Sequence, residues 1–137
     1  MRVLSSSGAL LATLDDVAGA SDATASPEGT EVYVAATDSD EIVVIDPSGP
    51  SISERYDVGA CPRELAVSET TVWYTFGCDL GEGGINHITR ATGAVHALGS
   101  PDAGFEFAFA RLGVGGGRLF AYEGALPAWP TTGGSLG

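Results

Sequence analysis

Apolar residues in this chain come in short runs separated by turn formers. Val32-Tyr33-Val34-Ala35-Ala36, Ile42-Val43-Val44-Ile45, Leu65-Ala66-Val67 and Val72-Trp73-Tyr74 are too short for helices and rich in β-branched and aromatic residues, so they read as strands. Pro27-Glu28-Gly29 and Pro47-Ser48-Gly49-Pro50 punctuate them, because Pro fixes φ and Gly reaches positive φ without a steric cost. The pattern predicts four strands at 22–26, 31–36, 41–46 and 53–58. Four more follow at 64–68, 72–76, 84–89 and 94–98. Two strands, 106–112 and 118–122, begin a third group through Gly115-Gly116-Gly117. Two others, 2–5 and 9–14, end a preceding one.

The groups repeat. Leu14-Asp15-Asp16-Val17-Ala18-Gly19 returns as Arg55-Tyr56-Asp57-Val58-Gly59-Ala60, and Thr30-Glu31-Val32-Tyr33-Val34-Ala35 returns as Thr70-Thr71-Val72-Trp73-Tyr74-Thr75. Glu41-Ile42-Val43-Val44-Ile45-Asp46 returns as Gly84-Ile85-Asn86-His87-Ile88-Thr89. A four-strand unit recurring about every 40 residues is the mark of a β-propeller blade. The expected fold is therefore all-β, an incomplete β-propeller of four-stranded antiparallel blades, with two full blades and a partial blade at each end. Its segments are 1–17, 18–58, 59–98 and 99–124, followed by a loop or disordered tail at 125–137. A closed ring takes roughly four to eight blades. The chain is thus expected to be a fragment of a longer protein or a unit that self-associates.

Strand chemistry adds a packing prediction. In 32–36 and 42–45 both faces are apolar, whereas a sheet with one wet face alternates. Each such sheet should be covered on both sides by its neighbours. In 53–58, polar Ser53, Arg55 and Asp57 alternate with Tyr56 and Val58, as suits a solvent-facing outer strand.

Ser26-Pro27-Glu28-Gly29-Thr30-Glu31-Val32-Tyr33-Val34-Ala35-Ala36, followed by Ile42-Val43-Val44-Ile45-Asp46, resembles the repeat of YVTN-type β-propellers, with Ala35-Ala36 in place of the family's Thr-Asn. Leu65-Ala66-Val67, Val72-Trp73-Tyr74-Thr75 and Gly84-Ile85 are similar to the repeats of streptogramin-lyase-like and NHL-like propellers. The resemblance covers 9–122. It implies a ring of about seven blades with ligands on one face or in the central channel, in many cases in an exported bacterial protein.

Charge narrows the partners. Eighteen Asp and Glu stand against six Arg and no Lys, a net charge of −12. That excludes the cationic surface that nucleic acid requires and disfavours anionic membranes. The longest apolar runs fall short of a membrane span. Residues 1–8 lack the apolar core of a signal peptide, so an export signal is expected upstream.

Cys61 follows the fourth strand of one group, and Cys78 lies between the second and third strands of the next. Antiparallel alternation brings these two kinds of loop to the same end, so the two thiols are expected to form a disulfide in an oxidising, extracellular or cell-surface setting. No Cys-x-x-Cys redox motif is present. His87 and His96 flank the Arg90–Gly93 turn and should be cross-strand neighbours on a solvent-exposed outer edge. Two imidazoles alone fall short of a structural zinc set.

Asp38, Asp40 and Glu41 make one acidic loop, and Asp79 with Glu82 another at the same end. Their spacing does not match a calcium loop, and solvated carboxylates are the expected state. Trp73, Tyr74 and Phe76 are expected in the core. Glu64 and Glu106 are candidates to point into a central channel.

No nucleophile elbow, phosphate loop or other catalytic motif is present, and no cofactor or metal is called for. The expected function is a non-catalytic propeller module that binds a protein or small-molecule partner through its loop face. One alternative is a fragment of an enzyme resembling streptogramin lyase, whose His and Glu constellation His87 and His96 do not reproduce. Another is a truncated product without independent function.

Overall fold

The computed structural model describes residues 1–79, 83–99 and 110–123. Its strands form two four-stranded antiparallel sheets and two hairpins. Strands β1 (Arg2–Leu4) and β2 (Leu10–Thr13) make the first hairpin. The first full sheet runs in the order β3 (Ala20–Ala25), β4 (Val32–Ala36), β5 (Glu41–Asp46), β6 (Ser51–Asp57). The second runs β7 (Pro62–Val67), β8 (Thr71–Phe76), β9 (Gly84–Thr89), β10 (Val95–Gly99). Strands β11 (Ala110–Gly115) and β12 (Arg118–Glu123) make the last hairpin.

All-β architecture and four-stranded sheets thus match the sequence pattern, and among the described residues the only helical element is a 3₁₀ turn, Thr37–Ser39. Among the described residues no sheet closes on itself. The strand start expected at 106–109, Glu82, Glu106 and the tail 125–137 lie outside the described residues.

The sheets stack face to face. Tyr33, Ala35, Ile42 and Val44 on one face of β4 and β5 meet Leu65, Val67, Val72, Tyr74 and Ile88 of the second sheet. On the other face Val34, Ala36, Val43 and Ile45 pack against Val17, Met1 and Leu14. β4 and β5 are therefore buried on both faces, which is why their sequences do not alternate. β6 closes the sheet as an edge, with Arg55 reaching back to Glu41 at 2.9 Å and to the Asp16 carbonyl at 2.7 Å.

The first strands of successive sheets lie side by side, β3 next to β7 and β7 next to β11. Polar side chains near their starts tie them together. Ser21 Oγ donates to the Arg63 carbonyl at 2.6 Å, and Thr37 Oγ1 to the Pro62 carbonyl at 2.6 Å. The link from the first sheet to the second is unusual: Gly59, Ala60 and Cys61 all have positive φ, at 64°, 52° and 55°. Asp40 holds this stretch, its carbonyl accepting from the amides of Val58 (3.0 Å) and Gly59 (3.1 Å) and its Oδ1 from that of Cys61 (2.9 Å).

Candidate functional site

A register shift in β7 builds the site. Pro62 pairs with Phe76 and Leu65 with Tyr74, so the intervening residues bulge from the ladder. The amides this frees need acceptors. Glu64 N–H donates to Thr75 Oγ1 at 3.0 Å, and Leu65 N–H donates to Asp22 Oδ2 at 2.9 Å. Thr75 is fully buried and Asp22 comes from β3 of the preceding sheet, so the bulge is stitched both within and across sheets.

The bulge also turns the Glu64 side chain toward Asp22. Burial, then the hydrogen bond to Asp22 and its negative charge, push the Glu64 carboxyl up to about 7, against a smaller pull from Arg111. A protonated Glu64 can donate to Asp22, which relieves the repulsion of two close carboxylates. Arg111 of β11 completes the group, its Nη1 3.3 Å from Glu64 Oε1. These residues line a cavity of about 370 Å³ whose walls come from β3, β7, β11 and β12, including Thr24, Ala66, Leu112 and Tyr122. Chemically it is a partly apolar groove with one carboxyl poised near neutrality and one guanidinium at its mouth.

Glu64, a sequence candidate for a central channel, lines this cavity. Asp22 and Arg111 were not picked out by sequence reasoning. Asp22 and Glu64 occupy equivalent places in the repeat, each next to a register shift at the start of a first strand, and that equivalence was the available signal.

Cys61 and Cys78 are at disulfide-bonding distance, with Cα atoms 5.2 Å apart. The antiparallel argument placed them correctly at one end. An Asp40 oxygen lies within 4.8 Å of both sulfurs, but the sulfurs bond to one another and Asp40 serves the Cys61 amide. Of the acidic loop, Glu41 pairs with Arg55, and Asp38 lies against Gly19, where any Cβ would collide with it. Asp79 is exposed. Asp40 thus serves the backbone, Glu41 an ion pair and Asp79 the solvent.

His87 and His96 are register partners with stacked rings, centroids 5.0 Å apart. The expectation that both face solvent on an outer edge is corrected: His96 is exposed, but His87 sits on β9, one strand in from the edge, and is half-buried beside Trp73. Its Nδ1 is buried without a hydrogen-bond partner. Neither histidine lines the cavity of Glu64. Tyr74 is fully buried as expected, while Trp73 and Phe76 are half-buried.

No family model and no curated protein matches the chain. No helix among the described residues is long and apolar enough to cross a membrane. The cysteine pair is compatible with an extracellular protein.

Proposed function

We propose that this chain is a non-catalytic binding module built of β-propeller blades, from an exported protein. Its ligand groove runs along the first strands of successive blades and takes a cationic group. Stacked four-stranded sheets, a repeat of about 40 residues and first strands lying side by side support the propeller reading. The cysteine pair supports an oxidising compartment.

One observation carries the ligand class. Glu64, beside Asp22, already holds a guanidinium, that of Arg111 at 3.3 Å, in a cavity of about 370 Å³. A ligand bearing an amine or guanidine would displace Arg111 and rest its apolar part on Ala66, Leu112 and Val114. Charge attraction from a chain of net charge −12 would favour its approach.

Titration with arginine amide, followed by amide NMR shifts, tests this reading. Shifts should cluster at Thr24, Leu65 to Val67 and Leu112 to Val114. Arg111→Ala should tighten binding several-fold and Glu64→Gln should abolish it. Shifts that are absent, or spread evenly over the acidic surface, would overturn the proposal.

A further inference from the structure

The two hairpins are complementary halves of one sheet. β11 lies against the first two strands of the second sheet, β7 and β8, and β12 pairs with β11. They occupy the place of a first and second strand, and their two-residue turn at Gly116-Gly117 matches the short β7–β8 turn. β1 and β2 occupy the other half. Their flanking residues Met1, Leu14 and Val17 pack on Val34, Val43, Ile45 and Ile52 of β4 to β6. The β1–β2 ladder also slips between Val3 and Leu4, as β5–β6 slips between Val44 and Ile45. Among the described residues this hairpin stands as a third and fourth strand with no first and second beside it.

Among the described residues each half leaves a matching area uncovered. Ala23 and Ala25 of β3 share a face with Val34 and Val32, yet they are exposed where Val34 is buried and Val32 half-buried. At the other end His96 and Leu98 of β10 are exposed beyond the reach of β11 and β12. The hairpins present apolar side chains outward: Leu4 is 55% and Leu10 60% exposed, Phe120 56% and Tyr122 55%.

Among the described residues β1 and β12 are edge strands, and neither contains Pro or Lys, the usual guards of an edge. The outer strand β6, Ser-Ile-Ser-Glu-Arg-Tyr-Asp, is by contrast polar and charged. Although the chain is strongly acidic, β1 and β2 carry Arg2 and no acid, and β11 and β12 carry Arg111 and Arg118 against Glu123. Charge repulsion between copies therefore falls elsewhere than on these edges.

We infer that a second copy of this chain docks head to tail, β12 of one copy pairing antiparallel with β1 of the other to complete a four-stranded sheet β11-β12-β1-β2. The stacking that joins the sheets within one chain then continues across the junction. Phe120 comes to rest on the small residues Ala23 and Ala25 of the second copy, and Leu4 and Leu10 cover His96 and Leu98 of the first. Val32 pairs with Ile45 and Val72 with Ile88. The same registry sets Leu119 of one copy opposite Leu4 of the other. Two copies close a ring of about six blades, within the range that rings adopt. The inference rests on the propeller reading but not on the ligand.

Sedimentation equilibrium of the intact chain tests the closure, and a mixed-cysteine experiment tests the pairing. The expected mass is twice 13.9 kDa. Leu119→Cys and Leu4→Cys chains, mixed, unfolded and refolded together under mild oxidation, should yield a disulfide-linked dimer that neither gives alone. A monomer at about 100 μM, an assembly of three or more copies, or a dimer whose mixture fails to cross-link would each overturn the inference. A monomer in which hydrogen exchange still protects β3 to β10 would overturn the assembly while leaving the stacked sheets and the binding groove standing. Loss of that protection would remove the propeller reading as well.

Discussion

Arg90 donates its Nε to the hydroxyl of Tyr33 at 3.0 Å, across the boundary between the two full sheets and 57 residues away in sequence. Its other nitrogens spread over the same junction. Nη1 donates to the carbonyls of Ser68 (2.9 Å) and Glu69 (2.8 Å), and Nη2 to Glu31 Oε1 (2.9 Å) and to Glu28. Glu31 Oε1 also accepts from Tyr33 at 2.8 Å. One guanidinium thus ties the first turn of one sheet to that of the next. Burial and the Glu31 carboxylate together push Tyr33 up to about 12. Arg suits the position because its planar fork serves several acceptors at once.

Removing that fork should loosen the stack. Arg90→Ala is expected to lower stability by about 1–2 kcal/mol in urea denaturation, since the half-buried Ser68 carbonyl, the Tyr33 hydroxyl and Glu31 lose a charge-assisted donor. Arg90→Lys should recover less than half, because an ammonium cannot reach the same set. Arg90 holds Glu28 down to about 2, from an ordinary value of 4.5. A lowered carboxyl contributes stability above pH 4.5 and loses it as pH falls through about 2. Arg90→Ala should flatten that part of the acid profile.

Burial on both faces of β5 gives a second prediction. Val43 points to one neighbour and Val44 to the other, and both are fully buried. Val43→Ala and Val44→Ala should each cost on the order of 2 kcal/mol in urea denaturation. A sheet with one wet face would show a penalty at only one of the two.

The strands were legible because each apolar run is short, β-branched and bounded by Gly or Pro, so period and punctuation agree. Cys61 and Cys78 were legible because strand alternation alone decides which loops share an end. Arg90 was not: in sequence it is a hairpin-turn residue, and its partners Glu28, Glu31 and Tyr33 lie in the preceding repeat. Asp22 and Arg111 were hidden for a related reason. A register shift decides that Leu65 N–H and the Glu64 carboxyl turn toward Asp22, and shifts leave no mark in hydropathy. His87 was misread because hydropathy does not distinguish an edge imidazole from one stacked a strand further in.

The cysteine bridge spans 17 positions. The chain-entropy model gives such a closure about 3 kcal/mol. Reduction, or Cys61→Ser with Cys78→Ser, should lower the urea midpoint accordingly, and intact mass should rise by two protons on reduction. An unchanged midpoint would mean the bridge contributes nothing to the fold.

Ala60 lies in the left-handed region at φ 52°, exposed and with no glycine's freedom. A left-handed alanine costs about 1 kcal/mol, partly offset by the greater freedom a glycine has when unfolded. Ala60→Gly should therefore raise stability by up to about 1 kcal/mol in thermal or urea unfolding. Ala60→Val should lower it, since a β-branched side chain tolerates positive φ least.

The pH dependence of stability tests the Glu64–Asp22 pair directly. Glu64 titrates at about 7 in the fold against an ordinary value of 4.5, chiefly because it is buried and then because it faces Asp22. A carboxyl raised by folding binds its proton more tightly in the native state. Its contribution is full below pH 4.5, declines as pH rises, and is gone above about 7. The chain should consequently lose stability between those values, an interval in which ordinary carboxylates add none of the opposite slope. Glu64→Gln keeps a donor for Asp22 without a proton to lose, so its profile should be flat there and the variant should be the more stable protein at pH 8. Asp22→Asn removes the charge facing Glu64 and should shift the decline toward lower pH. Denaturant midpoints of the three proteins, measured from pH 4 to 9, would separate these outcomes, and parallel profiles for wild type and Glu64→Gln would dispose of the pair.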